Sequence, residues 1–443
     1  MAARKKWRPS PFQIILIGFL GVVFLGALLL TLPIATEARV WTPFVDSLFT
    51  SVSAVCVTGL VTYDTAVHWS LFGEIVILIL IQIGGLGVVA VASAISIITG
   101  KKMGLAQRTT MKEALSAHSI GGIVRYLKLI VCGVFIIEAI GALVMMPTFI
   151  INFGAKGIWY AVFHSVSAFC NAGFDLLGAE GAEFQSLTQF AANPVINLTV
   201  MSLILIGGIG FLTWEDVVRH RWRFKKYRTQ TKLVLIATAA LILIPTLYFF
   251  FFEFDGEPIG RRILLSLFQS VTPRTAGFST TDYAALSDSG KLVTVLLMFV
   301  GGSSGSTAGG IKITTFAVLL AGAISVFRKK DSAELMRRRV SDETVRGAVA
   351  VLALYITLFL TGSIVVSMTD GVPIIDAMLE SASAMCTVGL STGITPSLFW
   401  TSKLLLAAMM FIGRLGGITV IFAASTAKPY RPVKYPLDKI IVG

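Results

Sequence analysis

Along this chain, apolar stretches long enough to cross a bilayer alternate with apolar stretches that are too short, and each short one ends at a glycine among small residues. Eight stretches reach the roughly 20 residues that a spanning helix needs: 12–33, 71–99, 126–150, 195–213, 232–252, 292–325, 347–368 and 403–424. The short ones are 44–55, 158–169, 263–272 and 374–385. They run into Cys56-Val57-Thr58-Gly59-Leu60, Cys170-Asn171-Ala172-Gly173-Phe174, Arg274-Thr275-Ala276-Gly277-Phe278 and Cys386-Thr387-Val388-Gly389-Leu390. Hydroxyl residues stand just upstream in every case, as in Ser51-Val52-Ser53-Ala54 and Ser165-Val166-Ser167-Ala168; in the third, Ser270-Val271-Thr272-Pro273, they are one residue closer to the glycine. The glycines lie 114, 104 and 112 residues apart, close to a quarter of the 443-residue chain. Such recurrence marks a fourfold internal repeat.

Composition agrees with a membrane chain. Hydrophobic residues make up 55% and charged residues 14%, against about 25% charged in soluble domains, which excludes an ordinary soluble enzyme. The net charge of +13 follows topology rather than nucleic acid. Of the 37 Lys and Arg, 28 fall in the N-terminal tail and in 101–128, 219–232, 328–346 and 428–439, and seven in the alternate segments. That bias places both termini in the cytoplasm. The basic start Arg4-Lys5-Lys6-Trp7-Arg8 precedes an apolar run of about 20 residues without an A-x-A site, longer than a signal-peptide core, so it reads as a retained first span. Cys56, Cys132, Cys170 and Cys386 form no CxxC or Cys/His cluster, so neither a disulfide framework nor a resident metal is expected.

A short helix that enters a membrane and returns as irregular backbone must be buried in protein or line water. Four such units suggest an all-α polytopic membrane protein of four tandem M1–P–M2 repeats (span, pore helix, filter, span) around one pseudo-fourfold pore. The units are 12–99, 126–213, 232–325 and 347–424, with a cytoplasmic tail over 425–443. Carbonyls aimed at a shared axis can replace a cation's hydration shell, and glycine lets backbone approach closely. The expected filter is Val57, Thr58, Gly59, Asn171, Ala172, Gly173, Thr275, Ala276, Gly277, Thr387, Val388 and Gly389.

On these repeats and glycine segments the chain resembles the Trk/Ktr/HKT superfamily of potassium transporters over about residues 12–425, and it looks most like the membrane subunit of a bacterial Ktr system. Sodium-preferring members often carry serine at the first filter glycine. Gly59 stands there in this chain, so the resemblance implies potassium preference; Asn171-Ala172-Gly173 departs most from the family pattern. The resemblance also implies a multi-pass protein of the plasma (inner) membrane, a homodimer, and a cytosolic nucleotide-binding (RCK/KTN-type) regulatory ring. It implies no organic cofactor, with potassium as the transported ligand.

The segment Gly302, Ser303, Ser304, Gly305, Ser306, Thr307, Ala308, Gly309 and Gly310 interrupts a span, and irregular backbone at that depth borders a cavity. The resemblance implies an intramembrane loop that closes the pore; the plain reading is a kink. The clusters Gly84-Gly85-Leu86-Gly87 and Gly207-Gly208-Ile209-Gly210 read as close helix packing. Lys312 and Arg414 are cations at membrane depth, where insertion costs about 2.5–3.5 kcal/mol; a role at the gate competes with snorkelling or packing. Arg274 is expected near the outer filter mouth, paired with an acid such as Asp282. His164 reads as a satisfied packing residue, and intramembrane Glu138 receives no role. The basic loops orient the protein and can meet anionic lipids or the regulatory partner. No phosphate-binding glycine motif occurs in the chain, so a regulatory nucleotide belongs to another polypeptide.

The resulting expectation is potassium uptake through a backbone-lined filter, gated by the loop under a cytosolic subunit. The rival is a sodium- or proton-coupled symporter working by alternating access, which predicts broken helices and midplane ion sites. An enzyme would need a nucleophile, metal ligands or an acid pair that the sequence does not offer.

Overall fold

The computed structural model describes residues 10–99, 104–115, 121–179, 182–221, 223–416 and 436. The tail 425–443 apart from Pro436, residues 417–424 of the last apolar stretch, and the cations Arg4, Lys5, Lys6, Arg8, Lys101 and Lys102 lie outside the described residues. The chain is helical. In order it runs α1 (Pro11–Thr31), α2 (Phe44–Cys56), α3 (Thr65–His68), α4 (Leu71–Leu86), α5 (Val88–Ile98), α6 (Leu105–Ala114), α7 (Ile123–Phe153), α8 (Lys156–Cys170), α9 (Pro194–Gly208) and α10 (Phe211–His220). Then follow α11 (Thr229–Tyr248), α12 (Ile259–Val271), α13 (Asp288–Met298), α14 (Ile313–Phe327), the two-residue hairpin strands β1 (Glu334–Leu335) and β2 (Arg338–Arg339), α15 (Asp342–Asp370), α16 (Ile374–Cys386) and α17 (Trp400–Leu415).

Among the described residues four helices, α1, α7, α11 with its π-helical extension, and α15, are long and apolar enough to cross a membrane. Their apolar residues surround the axis, yet only about a third or less of each span is buried. On α1, Ile15, Phe19, Val23, Ala27 and Leu30 form the buried stripe, while Phe24 and Leu25 on the other side are 51% and 60% exposed. A helix apolar all round with one face packed is stable only if lipid covers the rest. The capping box of Ser10 with Gln13 starts α1, satisfying amides that would otherwise be orphaned.

Two expected straight spans are instead bent near right angles. The stretch 71–99 folds as α4 and α5 at 94°, and 195–213 as α9 and α10 at 96°. Gly87 and Gly210 form the bends with φ of +87° and +89°, a conformation open to glycine and costly for other residues. The neighbouring glycines do serve close packing: a side chain on Gly84 or Gly207 would collide with the carbonyl of Val55 or Phe169, at the ends of α2 and α8. The third stretch, 292–325, is divided into α13 and α14 by the non-helical segment 299–312.

The helices α2, α8, α12 and α16 have 13, 15, 13 and 13 residues. At 1.5 Å per residue they reach about 20 Å, short of the hydrocarbon thickness of about 30 Å. Pro43, Pro258 and Pro373 stand immediately before three of them, and a proline stops the preceding segment from continuing as helix. The ends of α2, α8 and α16 are fully buried: Ala54, Val55 and Cys56, Ala168, Phe169 and Cys170, and Ala384, Met385 and Cys386 are all 0% exposed, and Val271 at the end of α12 is 2% exposed.

Side chains near the starts of these short helices bind the neighbouring span. Lys403 of α17 pairs with Asp46 of α2 at 2.9 Å, joining the last helix to the first short one. Lys291 of α13 pairs with Asp376 of α16 at 3.1 Å, and Trp159 of α8 donates to Glu74 of α4 at 2.6 Å. At the fourth junction Asn197 of α9 instead caps its own segment, donating to the Phe190 and Asn193 carbonyls. Removing one partner of a buried pair leaves an uncompensated charge. Lys403→Met is therefore expected to destabilise the fold by about 3 kcal/mol, read as a lower melting temperature of the purified protein in detergent. Adding Asp46→Asn should restore most of the loss.

Candidate functional site

Each short helix ends in the same backbone device. Val57, Asn171, Thr275 and Thr387, two residues before the four glycines, all adopt left-handed φ, at 55°, 59°, 66° and 53°. For the β-branched Val57, Thr275 and Thr387 this is a genuine outlier, and strain of that kind persists only where the surroundings impose it. A hydroxyl fixes each turn. Ser53 and Ser383 accept from the amides of Gly59 and Gly389 at 3.0 and 2.9 Å, and Ser167 and Thr272 donate to the carbonyls of Phe174 and Phe278 at 2.7 and 2.5 Å. The upstream hydroxyls were visible in the sequence, but nothing in their spacing identified them as the ties of the turn.

The four turns meet. A methyl group added to Gly59 would lie 3.1 Å from the Cα of Gly173; on Gly173, 2.8 Å from Gly277; on Gly277, 3.2 Å from Gly389; and on Gly389, 3.0 Å from Gly59. The contacts close a ring. The carbonyl oxygens of Ala172, Ala276, Val388 and Thr58 are the atoms facing Gly59, Gly173, Gly277 and Gly389 in turn. Four backbone oxygens and four glycines are thus gathered at one place, from residues more than 300 positions apart. Val57 and Asn171 are 1% exposed each, and Thr275 and Thr387 0%. The Asn171 amide, oriented with its nitrogen toward acceptors, reaches the carbonyls of Ala168 at 3.2 Å and Ile204 at 3.3 Å.

On one side of the ring is a cavity lined by all four glycines and by Asp64, Asp175, Glu183, Glu253, Glu257 and Asp282, with Arg261 the sole cation in its wall among the described residues. Asp64 accepts three backbone amides, from Ala66 at 2.9 Å, Val67 at 3.2 Å and Phe184 at 2.6 Å. Burial, and the Asp64 carboxylate beside it, push Asp175 up to about 7.

On the other side lies the segment 299–312. Gly309 sits against the Thr387 side chain, and a Cβ on Gly310 would lie 3.1 Å from the Cys386 carbonyl. The segment is stitched to α9 and α10: Ser303 N to Gly208 O at 2.9 Å, Thr307 N to Gly207 O at 3.3 Å, and Phe211 N to Gly305 O at 2.8 Å. The Thr307 hydroxyl donates to Phe169 O at 3.1 Å, Ser306 to Ser303 O at 2.6 Å, and Ser304 meets Thr314 at 3.2 Å. The Cβ of Ala308 faces Gly302. Lys312 donates to the carbonyls of Ala308 at 2.6 Å and Gly309 at 3.4 Å. Arg414 donates to Thr307 O and Gly84 O, and to Gly85 O at 3.3 Å. Both cations thus reach backbone carbonyls of the segment itself, Arg414 also those at the end of α4.

Arg274 departs from expectation. Rather than meeting Asp282 at an outer mouth it is 5% exposed, and its Nη2 donates to Thr238 of α11 at 3.2 Å. His164 bonds the Tyr160 carbonyl at 2.7 Å and meets the Leu176 amide at 3.4 Å, a packing role. Glu138 accepts from Gln82 at 3.3 Å and from the Cys170 thiol at 3.9 Å.

The fold and site together define a helical multi-pass membrane protein that gathers four backbone carbonyls at one place, groups that can take the place of a small cation's water. Comparison with known proteins agrees. Residues 11–431 match the TrkH family, described as cation transport protein. Potassium/sodium uptake protein NtpJ of Enterococcus hirae is 38% identical, the match covering 100% of this chain and 99% of that protein. Ktr system potassium uptake protein B of Bacillus subtilis is 37% identical over 99% of this chain and 98% of that one. The crystal structure of the potassium transporter TrkH from Vibrio parahaemolyticus superposes with a TM-score of 0.74 at 19% identity, covering 96% of this chain and 86% of that one, a likeness of fold. The chain belongs to the TrkH family of cation transport proteins, and these relatives are transporters, not enzymes.

Proposed function

We propose that this chain takes up potassium across the plasma membrane through a filter made of the four glycine turns, with both termini in the cytoplasm. The observation that carries the reading is the closed ring of Gly59, Gly173, Gly277 and Gly389 with the carbonyls of Thr58, Ala172, Ala276 and Val388 facing them. Carbonyl dipoles held there can substitute for a potassium ion's water. The short helices direct their C-terminal ends, the negative end of the helix dipole, toward it. In this reading the chain is four units of span, short helix, filter turn and span, eight spans in all, and no cofactor beyond the transported ion is required.

The acid-lined cavity is the outer vestibule, which concentrates cations, and the 302–310 segment is the gate beneath the filter, pinned by Lys312 and Arg414. In the same reading a cytosolic nucleotide-binding ring acts on a homodimer and on that gate, and the cations of 219–232 and 328–346 offer it a basic surface. Anionic lipids would meet the same cations.

The test is potassium uptake and growth of a transport-deficient host expressing the wild type, Gly59→Ser or Gly277→Ser. Each substitution is expected to lower the K⁺/Na⁺ preference at least about tenfold, a change of about 1.4 kcal/mol in ion discrimination. Wild-type uptake and preference in both would overturn the filter assignment. Asp175 adds a pH dependence: with its carboxyl pushed up to about 7 by burial and the neighbouring Asp64, it is expected to lose its charge as pH falls through that value. Apparent potassium affinity should therefore weaken as external pH falls through about 7. In Asp175→Asn the affinity should be weak at every pH and this step absent from uptake kinetics.

A further inference from the structure

Three of the four filter turns carry a buried thiol three residues before the glycine: Cys56, Cys170 and Cys386, each 0% exposed. The third carries Arg274. Its segment is one residue shorter, five residues from Thr272 to Gly277 against six from Ser53, Ser167 and Ser383 to theirs. Pro273 also withholds an amide there, and α12 ends at Val271. The side chain is 5% exposed and makes one hydrogen bond, to the neutral Thr238 hydroxyl. Its Nε and Nη1 have no partner, and no carboxylate lies within ion-pair distance, among the described residues. A guanidinium remains charged in proteins, and a buried charge is ordinarily paired. This one has no carboxylate partner among the described residues and stands at the C-terminal end of the one short helix that lacks a thiol there, where it offsets part of the negative helix dipole that would otherwise face a cation.

Resting on the filter reading above, we propose that Arg274 is a specificity-determining charge: it weakens cation binding at the α12 side of the filter in proportion to the cation's charge, and so disfavours divalent ions of potassium's size. Coulomb energy scales with the product of the charges. Removing the charge strengthens K⁺ binding by some factor and Ba²⁺ binding by about the square of that factor.

The experiment is K⁺ flux through the purified full chain in phosphatidylethanolamine and phosphatidylglycerol vesicles, recording the half-saturating K⁺ and half-blocking Ba²⁺ concentrations. Arg274→Cys, which makes the four turns alike, and Arg274→Gln, which keeps most of the volume, are both measured. The expected result is half-saturating K⁺ lower by about threefold and half-blocking Ba²⁺ lower by about tenfold, the square required by doubled charge. Arg274→Lys should keep the wild-type ratio of the two. A Ba²⁺ shift no larger than the K⁺ shift in the neutral variants, or a Lys variant that behaves like them, overturns the proposal. If Arg274→Cys does not accumulate, Arg274→Gln decides by the same criteria. Gly59→Ser and Gly277→Ser measured alongside separate the two ideas: if both leave uptake and K⁺/Na⁺ preference at wild-type values the filter reading itself fails, whereas altered preference in either with no extra Ba²⁺ effect at Arg274 sinks only the charge.

Discussion

Gly389→Ala is expected to reduce potassium uptake by about two orders of magnitude in a transport-deficient host at equal membrane abundance. The added methyl would collide with the Thr58 carbonyl oxygen and lie 3.0 and 3.1 Å from the Cα atoms of Gly59 and Gly277. All three neighbours are backbone, so no rotamer change relieves the overlap. Overpacking of this kind costs about 1–3 kcal/mol, and an alanine at φ of +94° adds about 1–2 kcal/mol. A sum near 3 kcal/mol disfavours the native ring about a hundredfold, at 1.4 kcal/mol for each factor of ten. The displaced atom would be one of the four oxygens proposed to hold the ion. Gly393→Ala separates collision from strain: Gly393 has φ of +89° and open space around its Cβ position. It should retain uptake within about tenfold, because its site has only the backbone term of about 1–2 kcal/mol to meet. Comparable losses in the two variants would mean that the ring contacts do not matter to transport.

How much of this was legible in the sequence differs from residue to residue. The four turns could be found because local chemistry repeats: a short apolar run, hydroxyls, then glycine at near-equal spacing, and the short helices fall within four residues of the stretches read from hydropathy. Hydropathy could not give the bends at Gly87 and Gly210, because an apolar run has the same composition whether it crosses straight or turns in mid-course. The pairs Lys403–Asp46 and Lys291–Asp376 join residues 357 and 85 positions apart. Each alone looks like an interfacial charge, and only the tertiary packing that brings α17 against α2 and α13 against α16 makes them partners. Arg274 was misplaced for a related reason. Its distance from Gly277 was readable, but the direction of its side chain depends on the shortened, proline-interrupted end of α12 and on what α11 offers in return. Left-handed backbone at Val57, Thr275 and Thr387 runs against the preference of those side chains, so local propensity points away from it; tertiary contact imposes it.

The second large effect concerns the segment beneath the ring. Arg414 donates to Thr307 on the segment and to Gly84 and Gly85 at the end of α4, so one guanidinium ties three separate parts of the chain together. Hydrogen bonds from a charged group contribute about 1.5–3 kcal/mol each. Arg414→Gln should therefore shift the segment away from the ring and raise basal flux about tenfold or more, the factor that corresponds to losing about one such bond. The amide contacts of Ser303 and Thr307 with Gly208 and Gly207 remain, so the segment is loosened rather than lost. Excising 303–309 and bridging Gly302 to Gly310 with a short glycine linker removes it altogether. The linker is needed because the flanks pair in parallel, Gly301 N with Ile311 O at 2.9 Å and Ile313 N with Gly302 O at 3.0 Å, and parallel segments cannot be closed by a tight turn. Basal potassium flux in vesicles should then exceed that of Arg414→Gln, and K⁺/Na⁺ preference should stay near the wild-type value, because ion choice lies in the ring and throttling lies below it. A folded excision variant with wild-type flux would show that this segment does not close the path, and loss of ion preference with raised flux would mean that it supports the ring as well as blocking it.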